Sequence, residues 1–109
     1  MAWEMIQGDR ENDLLLVCGV NSAPTDLTGI TSATLVWTTP SGARSEHALT
    51  ITLPALGVVQ YAWADNDPSD TGGETGVHEM RVRVLHASGE LQTFPSDGSA
   101  FRVRINAAP

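Results

Sequence analysis

Lysine is absent from this chain of 109 residues, and cysteine occurs once. The six basic residues are all arginine, and against thirteen acidic residues they leave a formal net charge of −7. Such a chain lacks the clustered cations that neutralise phosphates, so we expect no nucleic acid partner. The single cysteine, Cys18, cannot close an internal disulfide or hold a structural zinc ion by itself.

Long hydrophobic runs are also missing. No apolar stretch approaches the roughly 18 residues of a membrane span, and no basic segment precedes an apolar one at the N-terminus. We therefore expect no membrane partner and no signal peptide. Hydrophobic residues make up 41% and charged residues 17%, which excludes a disordered tail and a highly charged coiled coil. The length predicts a single domain over residues 1–109.

The sequence contains no segment with the apolar period of a helix over ten or more residues. Alternation with a period of two instead predicts short strands over residues 32–39, 44–52, 58–63, 77–85 and 101–105. A run of branched apolar side chains predicts a strand over residues 12–20, and further strands are expected over residues 2–7 and 91–94. Glycine and proline lie between these segments, as the turns of a β protein require. We predict an all-β fold, an immunoglobulin-like two-sheet sandwich of seven to eight short antiparallel strands. A small barrel is the alternative.

Catalytic motifs are absent. The sequence has no Gly-x-Ser-x-Gly, no His-Glu-x-x-His and no phosphate-binding loop. Alternation places His47 and His78 on core faces and His86 in a turn, while Cys18 lies in an apolar strand where a thiol is an inert hydrophobe. We expect no enzymatic activity, no catalytic residue and no cofactor.

Four carboxylates lie in the turn-rich loop over residues 64–75. Asp65, Asp67, Asp70 and Glu74 present several oxygens, which is the ligand type that calcium takes. Their spacing does not match an EF-hand, because its glycine position is occupied by Asp70 and its final glutamate position by Gly76. Asp and Asn also favour local bends, so we favour a solvated turn and assign no metal site.

The arginines form a second pattern. Arg81 and Arg83 share one face of their strand, and Arg102 and Arg104 share one face of theirs. If the two strands lie in one sheet, the four guanidinium groups form a stripe that suits docking on an acidic patch of a neighbouring subunit. The alternative is a solvated face with cross-strand ion pairs to acidic residues. Trp3 is a further interface candidate, because a first strand can add to a neighbour's sheet edge.

Turn and strand motifs follow one another in a distinctive order. They are Gly-Asp at residues 8–9, Pro-Thr-Asp-Leu-Thr-Gly at 24–29, Gly-Val-Val-Gln-Tyr-Ala-Trp at 57–63, Gly76, Ser-Gly-Glu at 88–90 and Thr-Phe-Pro at 93–95. This order resembles the immunoglobulin-like N-terminal domain of phage baseplate upper proteins and of related small tail and virion proteins. Baseplate upper proteins carry a further region that binds the receptor-binding protein, so the resemblance does not extend to that role.

The resemblance implies a non-enzymatic structural component of a phage particle. Such a module is made in the bacterial host cytoplasm and docks, in multiple copies of a symmetric assembly, on tail, baseplate or capsid proteins of the virion. A carbohydrate-binding module that recognises a host surface glycan is the alternative. That function requires an exposed aromatic platform, for which Trp3, Tyr61 and Trp63 are the candidates.

Overall fold

Ten strands and one short 3-10 helix make up the fold in the computed structural model, which describes residues 2–20, 23–70 and 72–109. Residue 71 of the acidic loop and residue 1 of the expected domain lie outside the described part. The 3-10 helix is Pro54–Leu56. The strands are β1 (Ala2–Ile6), β2 (Leu14–Val17), β3 (Gly19–Val20), β4 (Ala23–Pro24), β5 (Ser32–Thr38), β6 (Arg44–Leu53), β7 (Val58–Tyr61), β8 (Gly76–Leu85), β9 (Leu91–Phe94) and β10 (Phe101–Asn106).

Eight of these strands form one curled sheet in the order β1-β10-β8-β5-β6-β7-β2, with β9 paired to the second half of β8. The remaining strands, β3 and β4, form a separate small sheet. The curl is centred on β6, whose first residues pair with β5 and whose last residues pair with β7. The register shifts between Ile51 and Leu53, and such an irregularity bends a strand and increases its twist.

The all-β prediction is confirmed, whereas the expectation that every strand is antiparallel is wrong. β1 runs parallel to β10, with Trp3 opposite Val103 and Met5 opposite Ile105. The two strands come from opposite ends of the described chain, so no hairpin turn imposes an antiparallel direction on them. The resulting sheet is mixed.

Alternating side chains build the core, as the sequence predicted. Met80, Val82 and Val84 of β8 are fully buried, as are Leu35 and Trp37 of β5. β5 departs from strict alternation at Val36, which is on the outer face but only 7% exposed. Its register neighbours are Arg81 and Glu46, and the aliphatic parts of such long side chains cover apolar surface.

A tight crossing of backbone joins the curled sheet to the small one. Gly57 ends the 3-10 helix in a left-handed conformation, with φ of 71°. Its carbonyl accepts a hydrogen bond from the Cys18 amide over 2.8 Å, and the Thr25 amide donates to the Cys18 carbonyl over 2.8 Å. Glycine fits here because a side chain would meet the neighbouring backbone. No helix in the described residues is long and apolar enough to cross a membrane.

Candidate functional site

The four candidate arginines share one outward surface, which we call the arginine face. β8 and β10 are antiparallel neighbours, and Arg102 lies opposite Glu79, two residues before Arg81 on the same side of β8. Arg102 and Arg104 are exposed, and Arg81 and Arg83 are half-buried. The sequence predicted a stripe of four arginines if their two strands lie in one sheet. β8 and β10 do lie in one sheet, so this condition is met.

One of these arginines has a cross-strand partner. Arg83 Nη2 lies 2.6 Å from Glu46 Oε1, and Arg44 lies 3.6 Å from the other carboxylate oxygen of Glu46. Within the described residues, the guanidinium groups of Arg81, Arg102 and Arg104 enter no ion pair or side-chain hydrogen bond. The face thus combines one paired cation with three that enter no described ion pair, of which Arg102 and Arg104 lie opposite Glu79 and Glu4 in the register of the sheet.

Trp3 lies apart from the arginine face. It is half-buried on β1, with its ring centroid 5.8 Å from that of Trp63 and the two planes inclined by 37°. Its register partner is the buried Val103, which places Trp3 on the inner side of the sheet. Four of the five residues predicted as an interface therefore share the outer face, and Trp3 meets this group only at a groove that it lines together with Arg102.

An aromatic cluster fills the core beneath the arginine face. Trp37 is 0% exposed, and its ring packs edge-on against Tyr61 and Trp63 at centroid distances of 6.3 and 5.8 Å. Both of these neighbours are buried as well. Tyr61 and Trp63 therefore do not present the exposed platform that stacking on a sugar ring requires.

Trp37 is also anchored by a hydrogen bond to a buried histidine. Its indole N–H donates to Nδ1 of His78 over 2.9 Å. An indole nitrogen only donates, so Nδ1 of His78 accepts and the ring proton is on Nε2, which donates to the Glu74 carbonyl over 2.9 Å. His78 is fully buried, as its predicted core position requires, and both of its nitrogens are satisfied.

A second set of hydrogen bonds, which we call the polar string, connects side chains from β6 to the acidic loop. The Tyr61 hydroxyl donates to Asp67 over 2.8 Å, so its oxygen accepts from Nδ1 of His47 at 3.1 Å. On the other side of the ring, Nε2 of His47 accepts from the Ser45 hydroxyl over 2.8 Å. Burial and the nearby Asp67 carboxylate raise the pKa of Tyr61. The polar string fixes Asp67, whose carboxylate also accepts from the Ala64 amide and so closes the loop.

Sequence inspection did not identify the polar string. Ser45 and His47 lie two residues apart, so they share one face of β6, and that spacing was the only signal available. A serine and a histidine at 2.8 Å have the separation of a nucleophile and its base. Here the opposite ring nitrogen is held by Tyr61 rather than directly by the carboxylate, since His47 Nδ1 lies 3.7 Å from Asp67.

The four loop carboxylates that suggested calcium are directed to three different partners, and two of them share Arg10. Arg10 binds Asp65 at 2.7 Å and Asp70 at 2.9 Å, while Asp67 points inward to Tyr61. Glu74 accepts from the Ser41 hydroxyl over 2.7 Å. Among the described residues, no group of three His, Cys, Asp or Glu side chains is arranged to hold a metal ion.

The hydrogen bonds to Glu74 stabilise the folded state most when its carboxyl group is ionised. Side-chain hydrogen bonds from Thr39 and Ser41 hold the pKa of Glu74 below its usual range. A carboxylate with a lowered pKa stabilises the fold above its unfolded-state pKa, and this contribution is lost as the pH falls through the folded-state pKa.

A small cleft lies between the two tryptophans and the loop after β1. We call it the acidic cleft; it has a volume of about 200 Å³ and is lined by Trp3, Glu4, Met5, Asp9, Glu11, Asn12 and Trp63. Trp63 donates its indole N–H to the Asn12 carbonyl over 2.7 Å, which holds the loop against the aromatic rings. Within the described part of the chain, the carboxylates of Glu4, Asp9 and Glu11 make no ion pair or hydrogen bond.

Cys18 provides a direct test of core packing. Its side chain is 0% exposed, and burial raises the pKa of the thiol to about 11. At pH 8 the thiolate fraction is then on the order of one in a thousand. We expect no measurable labelling by iodoacetamide in the native protein and rapid labelling in concentrated urea. Mass spectrometry of timed samples checks this, and fast labelling of the native protein would contradict the packing described.

Comparison with known proteins finds solved structures with the same fold, but it does not assign the chain to a family. No protein-family model matches the sequence, and no curated protein matches it. Among solved structures, the N-terminal domain of phage TP901-1 ORF48 aligns with a TM-score of 0.61 at 14% identity, over 100% of this chain and 86% of that one. CopC from Methylosinus trichosporium OB3b aligns with a TM-score of 0.55 at 9% identity, over 99% of this chain and 86% of CopC.

The chain shares its fold with these two proteins. One of them is a phage protein domain, so the expected relation to phage proteins is supported at the level of fold. The identities are too low for either likeness to assign a function, because one fold carries many unrelated functions.

Proposed function

We propose that this protein is a non-enzymatic structural module of a phage particle, with an immunoglobulin-like arrangement of its strands, that docks on tail, baseplate or capsid proteins through its arginine face. Its partners are other structural proteins of the virion, bound in multiple copies of a symmetric assembly after synthesis in the bacterial cytoplasm. The observation that carries the proposal is the presence of three guanidinium groups without acidic partners among the described residues on one surface, those of Arg81, Arg102 and Arg104.

The physical basis of docking is charge complementarity on a rigid support. Guanidinium groups bind carboxylates in a bidentate geometry, which gives orientation as well as affinity. β8 and β10 are central strands of the sheet, so the arginines are held at fixed spacing. The chain as a whole carries a net charge of −7, which disfavours nucleic acid. The local positive charge of the arginine face is what favours an acidic patch on a protein partner.

The fold relation to the phage domain supports the proposal without identifying the substructure to which the protein attaches. The carbohydrate-binding alternative receives less support, because two of its three aromatic candidates, Tyr61 and Trp63, are buried. We retain the first function as the conclusion.

Exchange of two exposed arginines tests the function. We expect the R102Q/R104Q variant to be lost from density-purified particles while its melting temperature stays unchanged, because both side chains are exposed and lack partners among the described residues. Mass spectrometry of the particles, with counts normalised to the major capsid protein, measures incorporation.

Matched variants separate the effect of this face from that of net charge. Ser88→Glu with Ser96→Glu changes the net charge by the same two negative units at exposed turn positions outside the face, and it should incorporate normally. If the unmodified chain remains wholly in the soluble fraction of the lysate, the proposed function is wrong. If R102Q/R104Q incorporates as well as the unmodified chain, the arginine face is not the docking surface.

A further inference from the structure

The acidic cleft combines two features that recognise a planar cation. The half-buried ring of Trp3 forms an aromatic wall, and the buried ring of Trp63 supports it from behind at a centroid distance of 5.8 Å. Glu4, Asp9 and Glu11 add carboxylates that have no cationic partner among the described residues. A guanidinium group both stacks on aromatic faces and pairs with carboxylates, so it satisfies the two features together.

The size of the cleft points to a side chain rather than to a free ligand. Its volume of about 200 Å³ is below the roughly 300–1,000 Å³ that is typical of small-molecule pockets. The loop that closes the cleft is held by Trp63, through the hydrogen bond to Asn12, and by Arg10, which binds Asp65 and Asp70 of the neighbouring loop. The cleft is therefore preformed, which lowers the entropic cost of receiving a side chain.

The complementary group is present on the same chain. The arginine face offers three guanidinium groups without acidic partners in the described structure, and the acidic cleft offers three carboxylates without cationic ones. None of the described ion pairs connects the two surfaces within one molecule. Glu4 of the cleft lies opposite Arg104 of the face in the register of β1 and β10, so the two surfaces are neighbours on one molecule. Because no described ion pair joins them, their charges are available for a contact between molecules.

We infer that the acidic cleft binds an arginine side chain from the arginine face of a second copy of this chain. The inference rests on the proposed docking role of that face and names its partner. The contact joins two different surfaces, so a bound pair still offers a free arginine face on one copy and a free acidic cleft on the other. Repetition of such a contact produces rings or filaments, which agrees with a module present in many copies.

Sedimentation velocity of the purified full chain tests the inference. We expect concentration-dependent association at low salt that weakens at high salt, because the contact depends on exposed charges. The variants D9N/E11Q and R102Q/R104Q should each weaken association by about tenfold or more. Glu90→Lys changes the net charge by the same two positive units as D9N/E11Q at an exposed turn, and Ser88→Glu with Ser96→Glu matches the arginine variant; both controls should associate normally.

A mixing experiment provides the sharper result. The cleft variant retains an intact arginine face, and the face variant retains an intact cleft. An equimolar mixture should therefore form a one-to-one dimer that neither variant forms alone, and the dimer should not grow further. Tryptophan emission should change on mixing, since the arginine contacts the half-buried Trp3. If D9N/E11Q does not fold, Glu11→Gln alone is used in the same mixture.

Three results would overturn the inference: a chain that stays monomeric at low salt, association that both variants leave unchanged, or a mixture that does not dimerise. A monomeric chain whose R102Q/R104Q variant is still lost from particles would leave the proposed function intact and end this inference alone. A chain that self-associates as described but is missing from particles would end the proposed function and leave the inference standing.

Discussion

Replacement of Trp37 by alanine should lower the free energy of unfolding by about 3–5 kcal/mol, the range observed when a large buried aromatic is truncated. Trp37 is fully buried and packs on Tyr61, Trp63 and two histidine rings, so the cavity has little freedom to collapse. The change also leaves His78 Nδ1 without its donor. A domain of this kind has only about 5–15 kcal/mol in total, so the variant should be close to unfolding.

Urea unfolding followed by circular dichroism measures this loss. Leu15→Ala is the matched control, because Leu15 is 56% exposed on β2, and its truncation should cost far less. Trp37→Phe keeps most of the apolar volume and should fall between the two. A loss below about 1 kcal/mol for Trp37→Ala would contradict the central position that we assign to this residue.

Gly57→Ala should lower the free energy of unfolding by about 2–4 kcal/mol, which is the second largest loss that we predict. A Cβ at this position would lie 2.5 Å from the Cys18 carbonyl oxygen and 2.8 Å from that of Thr25. Both contacts are with backbone, which cannot rotate away as a flexible side chain does. The left-handed φ of 71° adds the conformational cost of a non-glycine residue.

Gly29→Ala isolates the conformational part of that cost. Gly29 has a similar φ of 82°, but a Cβ added there would have no neighbour within 4 Å. Its replacement should therefore cost about 1 kcal/mol. The difference between the urea midpoints of the two variants reports the steric part, and equal midpoints would show that the backbone crossing at Gly57 is not tight.

The positions of most strands follow from local sequence alone. β8 alternates arginine and glutamate with valine and methionine, and β10 alternates arginine with valine and isoleucine. Each strand thereby specifies an inner and an outer face without reference to its partner, and the structure confirms both faces. The turn over residues 40–43 likewise predicted the hairpin of β5 and β6, which is present.

Pairing across long distances does not follow from local pattern. The alternation of β1 is compatible with either direction, so it does not reveal the parallel partner β10. β6 reads as a single strand, and only the irregularity between Ile51 and Leu53 shows where its partner changes from β5 to β7. Where the run of branched apolar residues predicted one strand over residues 12–20, the structure has β2 and β3 separated at Cys18.

The candidate site shows the same limit. Sequence placed His78 in the core, but the acceptor role of its Nδ1 depends on Trp37, which is 41 residues away. The carboxylates of Asp65 and Asp70 looked available to calcium because their partner, Arg10, lies 55 and 60 residues away from them in the sequence. Partners that lie far apart in sequence meet only once the sheet is formed, so their chemistry is not readable from spacing.

The pairing of β1 with β10 has a consequence for the order of events during synthesis. About 95 residues separate β1 from β10, so at about 5–20 residues per second the ribosome makes the two strands roughly 5–20 s apart. During that interval Trp3 and Met5 have no neighbouring strand to cover them. The nascent chain therefore carries an apolar segment that is vulnerable to aggregation until β10 has been translated. A chaperone is of most use to the chain before that point.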